Sequence, residues 1–251
     1  MAVALSTLVE EAERYLGSAK IQDYCPNGLQ VEGRPQVSRI VSGVTASQAL
    51  LDAAVEAEAD LVLVHHGYFW KGENPTLVGI RRRRVATLLA HEINLAAYHL
   101  PLDCHPQWGN NVQLALRLGI SHQPPQTFDQ LLWQGELEQA VSLAEFAARL
   151  SAALGRAPLL CDGGHGRGVQ RLAWCTGAAQ DEIEAAAALG VDLFISGEIS
   201  ERTWHQAQEL GIHYLAAGHH ATERYGVQAL GQHLAEQFGL EVQYLEQDNP
   251  V

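Results

Sequence analysis

Apolar positions fall into short unbroken runs separated by amphipathic stretches. Arg39-Ile40-Val41-Ser42-Gly43-Val44 and Leu61-Val62-Leu63-Val64 have the length and β-branched character of buried strands. The Ala/Leu-rich stretch from Ser47 to Glu58 between them predicts a helix. Strand, helix, strand over about 28 residues is a βαβ unit, so the two strands are expected to be parallel. The second run stops on His65-His66-Gly67. That puts paired imidazoles at the carboxyl end of a buried strand, where open α/β sheets present their chemistry.

Similar patterning fills the rest of the chain. The first nine residues lead into Glu10, Glu11 and Glu13 and read as an amphipathic helix, with Thr7 and Glu10 spaced as a capping box. Pro26 and Asn27-Gly28 read as a turn. Ile93 to Tyr98 is a third strand, ending at His99 and followed by Asp103. Gly109 to Leu118 is a helix stopped by Gly119. Ser121 to Gln134 is polar and Pro-containing, a linker or inserted segment. Ser142 and Glu145 open a further helix with a capping box. Leu159-Leu160-Cys161 reads as a strand. The loop from Asp162 to Gly168 is Gly-rich but lacks the spacing of a phosphate loop or dinucleotide fingerprint.

The segment from Arg171 replays the segment from Arg39. Asp60-Leu61-Val62-Leu63-Val64 matches Asp192-Leu193-Phe194-Ile195-Ser196 without a gap. Leu95-Ala96-Ala97-Tyr98-His99 parallels Leu215-Ala216-Ala217-Gly218-His219 at a shifted offset. The expectation is an α/β protein of two related lobes: a first half over 1–120, a connecting segment with a helix over 121–168, and a second half over 169–251. Each half places a carboxylate four residues after a strand-end histidine, His99 with Asp103 and His219 with Glu223. Only the first half ends its second strand on His-His; the second has Gly197-Glu198 there.

Composition narrows the classes. The formal net charge is -13, from 29 acidic and 16 basic residues, which argues against nucleic-acid binding. The run Arg81-Arg82-Arg83-Arg84 reads as a solvated helix face, with an anion or subunit contact as the alternative. Four scattered cysteines, with no C-x-x-C pair, read as reduced thiols of a cytoplasmic protein. The N-terminus lacks a basic stretch of the signal-peptide kind, and no apolar run matches a membrane span. The aromatics of the loop from Gly67 to Pro75 either wall a pocket or pack on a neighbouring domain or subunit.

His65, His66, Asp103, His219 and Glu223 all fall at or just beyond carboxyl ends of expected strands. Imidazole and carboxylate suit zinc, iron, manganese or nickel. Five such groups exceed one closed structural zinc site. They suit two divalent ions sharing a carboxylate, with positions open for water. The plainer reading is that strand-end histidines are hydrogen-bonded core or surface residues. His220 adjoins His219, and the sequence alone does not say which faces a site, although aligning the halves favours His219. His91, His122, His165, His213 and His233 read as surface or structural.

Leu63-Val64-His65-His66-Gly67-Tyr68-Phe69-Trp70, His99-Leu100-Pro101-Leu102-Asp103, Ser196-Gly197-Glu198 and Gly218-His219-His220-Ala221-Thr222-Glu223-Arg224 together resemble the NIF-three-like family. So do Asp23-Tyr24 and Pro26-Asn27-Gly28-Leu29-Gln30-Val31. The likeness is to its bacterial branch, labelled homologues of the type 2 GTP cyclohydrolase I, and it spans nearly the whole chain. It implies the NIF-three-like α/β fold, a dinuclear metal centre in the cleft between the lobes, and a ring-shaped homohexamer with its sites facing inward. By position it implies the same five ligands, with His99 beside the centre.

The expected function is a dinuclear metal-dependent hydrolase acting through an activated water. Glu223 bridges the ions, and His99 or Glu198 serves as acid/base. Its substrate would be GTP or another nucleotide or phosphorylated metabolite. The alternative is a non-catalytic metal-binding or metallochaperone-like scaffold.

Overall fold

The structure, a computed structural model, describes residues 1–123, 125–127 and 129–251. Pro124 and Phe128 of the expected polar segment lie outside the described residues. The chain forms two compact units, Met1–Leu102 with Gly226–Asp248 and Asp103–Tyr225 with Asn249–Val251.

The first unit opens with β1 (Val3–Ala4) and α1 (Leu5–Leu16). It continues through β2 (Gly28–Val31), β3 (Gln36–Val37), β4 (Arg39–Thr45), α2 (Gln48–Glu56), β5 (Leu61–His66), α3 (Gly79–Ala90) and β6 (Asn94–Ala97). β4, β5 and β6 are parallel neighbours, with β2 antiparallel at the edge. The Ser47 side chain caps α2 by accepting the Leu50 N–H at 3.2 Å. The expected Thr7–Glu10 capping box does not form, because α1 starts earlier. Its first turn is held by the backbone instead. β1 pairs with β3, and the Leu5 N–H donates to the Pro35 carbonyl at 2.9 Å.

In chain order the second unit holds the end of α4 (Leu100–Cys104), α5 (Asn110–Leu118), β7 (Ser121–His122) and β8 (Trp133–Val141). Next come α6 (Leu143–Leu154), β9 (Leu159–Cys161), β10 (Val169–Cys175), α7 (Ile183–Ala188), β11 (Leu193–Ser196), α8 (Glu201–Leu210), β12 (His213–Ala216) and the start of α9 (His219–Phe238). Its sheet runs β7-β8-β10-β11-β12-β9. The three parallel strands β10, β11 and β12 lie between antiparallel β8 and β9. The end of the expected linker thus supplies a sheet strand. In α6, Ser142 accepts the Glu145 N–H at 3.1 Å.

From Gly226 onward α9 belongs to the first unit, followed by β13 (Glu241–Tyr244), which pairs parallel with β4. The compact units therefore do not follow the expected segments 1–120, 121–168 and 169–251. Helix α5 packs Val112, Leu114 and Leu118 with the second unit's Trp133, Phe146 and Leu193. Val227, Leu230 and Leu234 of α9 pack with Leu8, Leu16 and Leu61. Burial of these apolar faces, rather than sequence order, decides membership.

Both sheets are covered on two faces, which explains their unbroken apolar runs. Val62 and Val64 join one cluster with Leu50 and Leu88, while Leu61 and Leu63 join another with Leu8 and Leu230. In the second unit Leu193 and Ile195 face Trp133 and Phe146, while Phe194 faces Tyr214 and Ile183. An aspartate anchors each middle strand. Asp60 accepts the Ser38 and Arg39 N–H groups at 2.8 and 3.0 Å. Asp192 accepts those of Gln170 and Arg171 at 3.2 and 2.9 Å.

The sheets correct one alignment. Leu61 pairs with Asn94, and Leu193 pairs with His213. Asn94 and His213 therefore hold the same place in their sheets, and by that pairing the apparent Leu-Ala-Ala match is one residue out of register. By this register His99 corresponds to Gly218, not to His219. All four cysteines are buried thiols outside any disulfide. No helix among the described residues is long and apolar enough to cross a membrane.

Candidate metal centre

In the first unit, β5 carries His65 and His66 at its carboxyl end. His65 is fully buried, and its Nδ1 lies 2.9 Å from the Tyr98 carbonyl. A neutral ring there donates Nδ1–H and makes Nε2 the lone-pair nitrogen. Parallel pairing sets Thr45 beside His66, and its hydroxyl lies 3.2 Å from His66 Nδ1. His99 follows β6. Its N–H donates to Asn27 Oδ1 at 2.7 Å, and its Nδ1 lies 2.7 Å from Asp23 Oδ1. His65, His66 and His99 each offer one nitrogen within 4.8 Å of the others.

Asp23 is held on every side. The Leu100 N–H and the Asn27 amide donate to its Oδ2 at 2.9 and 2.8 Å, and the Tyr24 N–H donates to Oδ1. Burial works against its charge. The hydrogen bonds from His99 and Asn27 outweigh that and bring the carboxyl down to about 2. Neighbouring Cys25 is pushed up to about 12, by burial and then by Asp23, so it is a neutral thiol. Gly67 lets the chain leave the site, since a Cβ there would meet Gln30 Oε1 at 2.2 Å and Ala97 Cβ at 2.6 Å. The loop aromatics divide. Tyr68 is buried on the Ala46 carbonyl, Trp70 stands edge-on to His99 at 4.8 Å, and Phe69 is partly exposed.

In the second unit, Asp103 is 4% exposed at the end of α4. Asn110 Nδ2 and Thr176 Oγ1 donate to its Oδ1 at 2.8 and 3.3 Å. Asp103 and Glu223 offer carboxylate oxygens within 4.8 Å of one another. On α9, His219 Nε2 lies 3.1 Å from Glu223 Oε2, one helical turn away. His219 Nδ1 lies 2.6 Å from Glu198 Oε1. Burial disfavours a charged imidazole here, but Glu223 and then Glu198 outweigh it and raise His219 to about 9. Of the adjacent pair, His219 faces these carboxylates. His220 joins no donor cluster among the described residues.

Glycine makes room for this arrangement. Gly177 has a φ of +72°, and a Cβ there would meet Glu223 Oε1 at 2.1 Å. A Cβ on Gly197 would fall 2.7 Å from both the Gly177 carbonyl and His219 Cα. The donor chemistry fits divalent metal: four imidazoles spend Nδ1 on neighbours, and two buried carboxylates stand among polar donors.

Each expected site residue lies in one of these two sets, with His99 in the first and Glu198 in the second. Asp23, Thr45, Asn110, Thr176 and Gly177 escaped the sequence reading of chemistry. Only Asp23 gave a signal, as part of the motif Asp23-Tyr24. Of the arginine run, Arg81 pairs with Glu73, while Arg82 and Arg83 are exposed.

A family model described as Duf34/NIF3 (NGG1p interacting factor 3) matches residues 3–250. A Pseudomonas aeruginosa protein named "GTP cyclohydrolase 1 type 2 homolog" is 61% identical over 254 residues, covering 100% of both chains. A solved structure described as "Structural genomics, protein ybgI, unknown function" superposes with a TM-score of 0.94. It is 51% identical and covers 99% of this chain and 100% of its own. TTHA1606 from Thermus thermophilus superposes at 0.88 with 34% identity, over 99% and 100% of the two chains.

Proposed function

The chain belongs to the Duf34/NIF3 family, and from that footing we propose that it is a dinuclear metal-dependent hydrolase. In this reading His65, His66, Asp103, His219 and Glu223 hold two divalent ions per subunit (zinc, iron, manganese or nickel), in a cleft between two related lobes. The observation that carries it is the state of the imidazoles. His65, His66 and His219 all have Nδ1 committed to a neighbour, the arrangement expected of ligating histidines. The excess of carboxylate around His219 favours a cation at that position.

Bound divalent ions would supply Lewis-acid polarisation and lower the pKa of a coordinated water. The chain's own residues do the rest. Glu223, packed against Gly177 and 3.1 Å from His219 Nε2, would hold its carboxylate toward the ions. Asn110 and Thr176 fix Asp103 through one of its oxygens. Glu198 orients His219. His99, held through Nδ1 by Asp23, presents Nε2 for proton transfer.

The name carried by the relatives suggests GTP, and nucleotides and other phosphorylated metabolites are the class to screen. A cytoplasmic, ring-shaped homohexamer binding a small-molecule substrate, with neither nucleic acid nor membrane as partner, completes the proposal. Light scattering tests the assembly. The function is tested by a hydrolytic screen on metal-loaded protein beside Glu223→Ala. Turnover that Glu223→Ala abolishes supports it. Fully loaded protein without turnover, passing its metal to an apo-acceptor, would favour the non-catalytic scaffold.

A further inference from the structure

Arg14, Arg34, Arg39, Arg81 and Arg202 each pair with a glutamate or an aspartate. In the second unit, at the ends of α5 and α6 and the start of α9, three arginines are held differently. Arg117 has its Cζ 3.7 Å from the centre of the Tyr225 ring, and its Nη1 donates to the Gln113 carbonyl and side chain at 3.1 and 2.9 Å. Arg224 has its Cζ 5.4 Å from the same ring, and its Nη2 donates to the Leu154 carbonyl. Arg156, two residues beyond Leu154, packs against Gly218, where a Cβ would meet Nη1 at 2.2 Å and Cζ at 2.8 Å. Arg156 Nη1 is buried with no hydrogen-bond partner. Neither Arg117 nor Arg156 is paired with a carboxylate among the described residues. Partial burial and the Arg224 charge lower the Arg117 pKa, and Tyr225 offsets part of this.

The carbonyls that end α6 account for some of these groups. Leu154 takes Arg224, and Ala153 accepts the Tyr225 hydroxyl at 2.7 Å. They leave Arg156 without a partner. A half-buried cation beside other cations is costly unless an anion compensates it. The planar fork of a guanidinium fits two oxygens of one phosphate. Backbone N–H groups are not the source of this attraction, because the His220 N–H at the start of α9 is spent on the Val251 carbonyl at 3.1 Å. Gly218 directly precedes His219, and Arg224 directly follows Glu223, so the cations adjoin two of the proposed metal ligands along the chain.

We propose that Arg156, with Arg117 and Arg224, binds the phosphate groups of the substrate, an assignment that rests on the substrate class of the proposed function. A chain without a glycine-rich phosphate loop then recognises phosphate through guanidinium groups instead. The rest of this acidic protein repels a polyanion, so these three side chains decide where one can dock. The site selects for phosphate rather than for a base: a polyphosphate alone should bind, and an unphosphorylated nucleoside should not.

The test is calorimetric titration of the full chain, metal-free and cobalt(II)-loaded, with tripolyphosphate, inorganic phosphate, GTP and guanosine. Arg156→Gln, Arg156→Lys and Arg117→Gln are compared with the wild type, with cobalt content and circular dichroism as controls. Expected are binding of tripolyphosphate and GTP but not of guanosine, and binding roughly 10–100-fold weaker in Arg156→Gln at unchanged cobalt content. Arg117→Gln should weaken it by about 10-fold. Arg156→Lys keeps the charge but not the fork and should recover part of the loss. Tighter binding of inorganic phosphate than of GTP would identify free phosphate as the ligand and overturn the assignment to substrate. If Arg156→Gln perturbs the fold, Arg117→Gln, at an exposed position, decides alone. Wild-type affinity in both arginine variants, or no phosphate binding by the wild type in either state, would overturn the proposal. A chain that takes up no cobalt would contradict the metal reading, and the metal-free titration would then decide this one by itself.

Discussion

Asp60 and Asp192 stand just ahead of the middle parallel strand in their respective sheets. Each gathers the N–H groups that start the strand before it. At the next position along, Asn94 Oδ1 accepts the Gly33 N–H at 2.7 Å in one unit, and His213 Nδ1 accepts the Gly163 N–H at 3.1 Å in the other. In both places a Cβ on the glycine would strike backbone within 2.5 Å. The opposite edges share none of this. β5 closes on His65-His66, and β11 closes on Ser196-Gly197-Glu198. In one register, Thr45 supports His66, while its counterpart Gly177 has no side chain and admits Glu223. The amino edge of each sheet is scaffold, where the same hydrogen-bonding problem has the same solution. Under the proposed function the carboxyl edge carries the chemistry and is free to differ.

The equivalent pair Thr45 and Gly177 offers the strongest way to break this comparison. Gly177→Val adds a clash with Glu223 to a left-handed backbone that a β-branched residue resists. It should weaken metal binding by at least about 100-fold, with the strands of both sheets intact by circular dichroism. Thr45→Val removes one hydrogen bond to His66 and should weaken binding by about 10-fold or less. Equal effects, measured by chelator competition, would mean that the two edges are not specialised as described.

The scaffold aspartates should differ less. Asp60 also accepts the Ser38 hydroxyl at 2.7 Å and the Arg34 guanidinium at 2.9 Å, whereas Arg171 reaches Asp192 only at 3.7 Å. Asp60→Asn should cost about 2–3 kcal/mol in denaturant unfolding and Asp192→Asn about 1 kcal/mol. Burial raises the Asp60 pKa, but the Ser38 and Arg39 donors and the Arg34 charge outweigh it, and the folded value is depressed. The stability it contributes is complete above its unfolded pKa of about 3.9 and is lost as pH falls through the folded value. Asp60→Asn should lack that acid loss.

The smallest effect concerns Asn94 and His213. Burial, reinforced by His165, lowers the His213 pKa. An imidazole kept neutral by the fold binds its proton more readily when unfolded. The second unit should therefore lose stability as pH falls below the unfolded value of about 6.5, down to the folded one. Asn94 cannot titrate, and the first unit gains no such slope from that position. Hydrogen exchange of β12 and β6 amides from pH 7 to 5 checks this, with His213→Asn flattening the β12 response. A slope unchanged in His213→Asn would assign it elsewhere.

Much of this architecture was legible because it is local. Apolar runs bounded by Asp60 and His65 specify buried parallel strands, and Ser47 and Ser142 announce their helices. The candidate donors of each unit were legible where they follow a strand end directly. Long-range pairing was not. Asp23 reaches His99 across the fold, and β13 joins β4 from the far end of the sequence. Nothing in a local pattern encodes either partner. The Leu-Ala-Ala match misled by one residue because small apolar residues fit either register of a doubly buried strand. Thr7 and Glu10 had capping-box spacing, but strand pairing at Val3–Ala4 set the helix start instead.

The most direct test of the account is metal content by elemental analysis. The full chain would be purified without chelator or nickel affinity, beside His65→Ala from the first unit and Glu223→Ala from the second. The account predicts about two divalent ions per chain, falling sharply in both variants. One ion or none, indifferent to either substitution, would contradict it and return these histidines to the role of hydrogen-bonded strand ends.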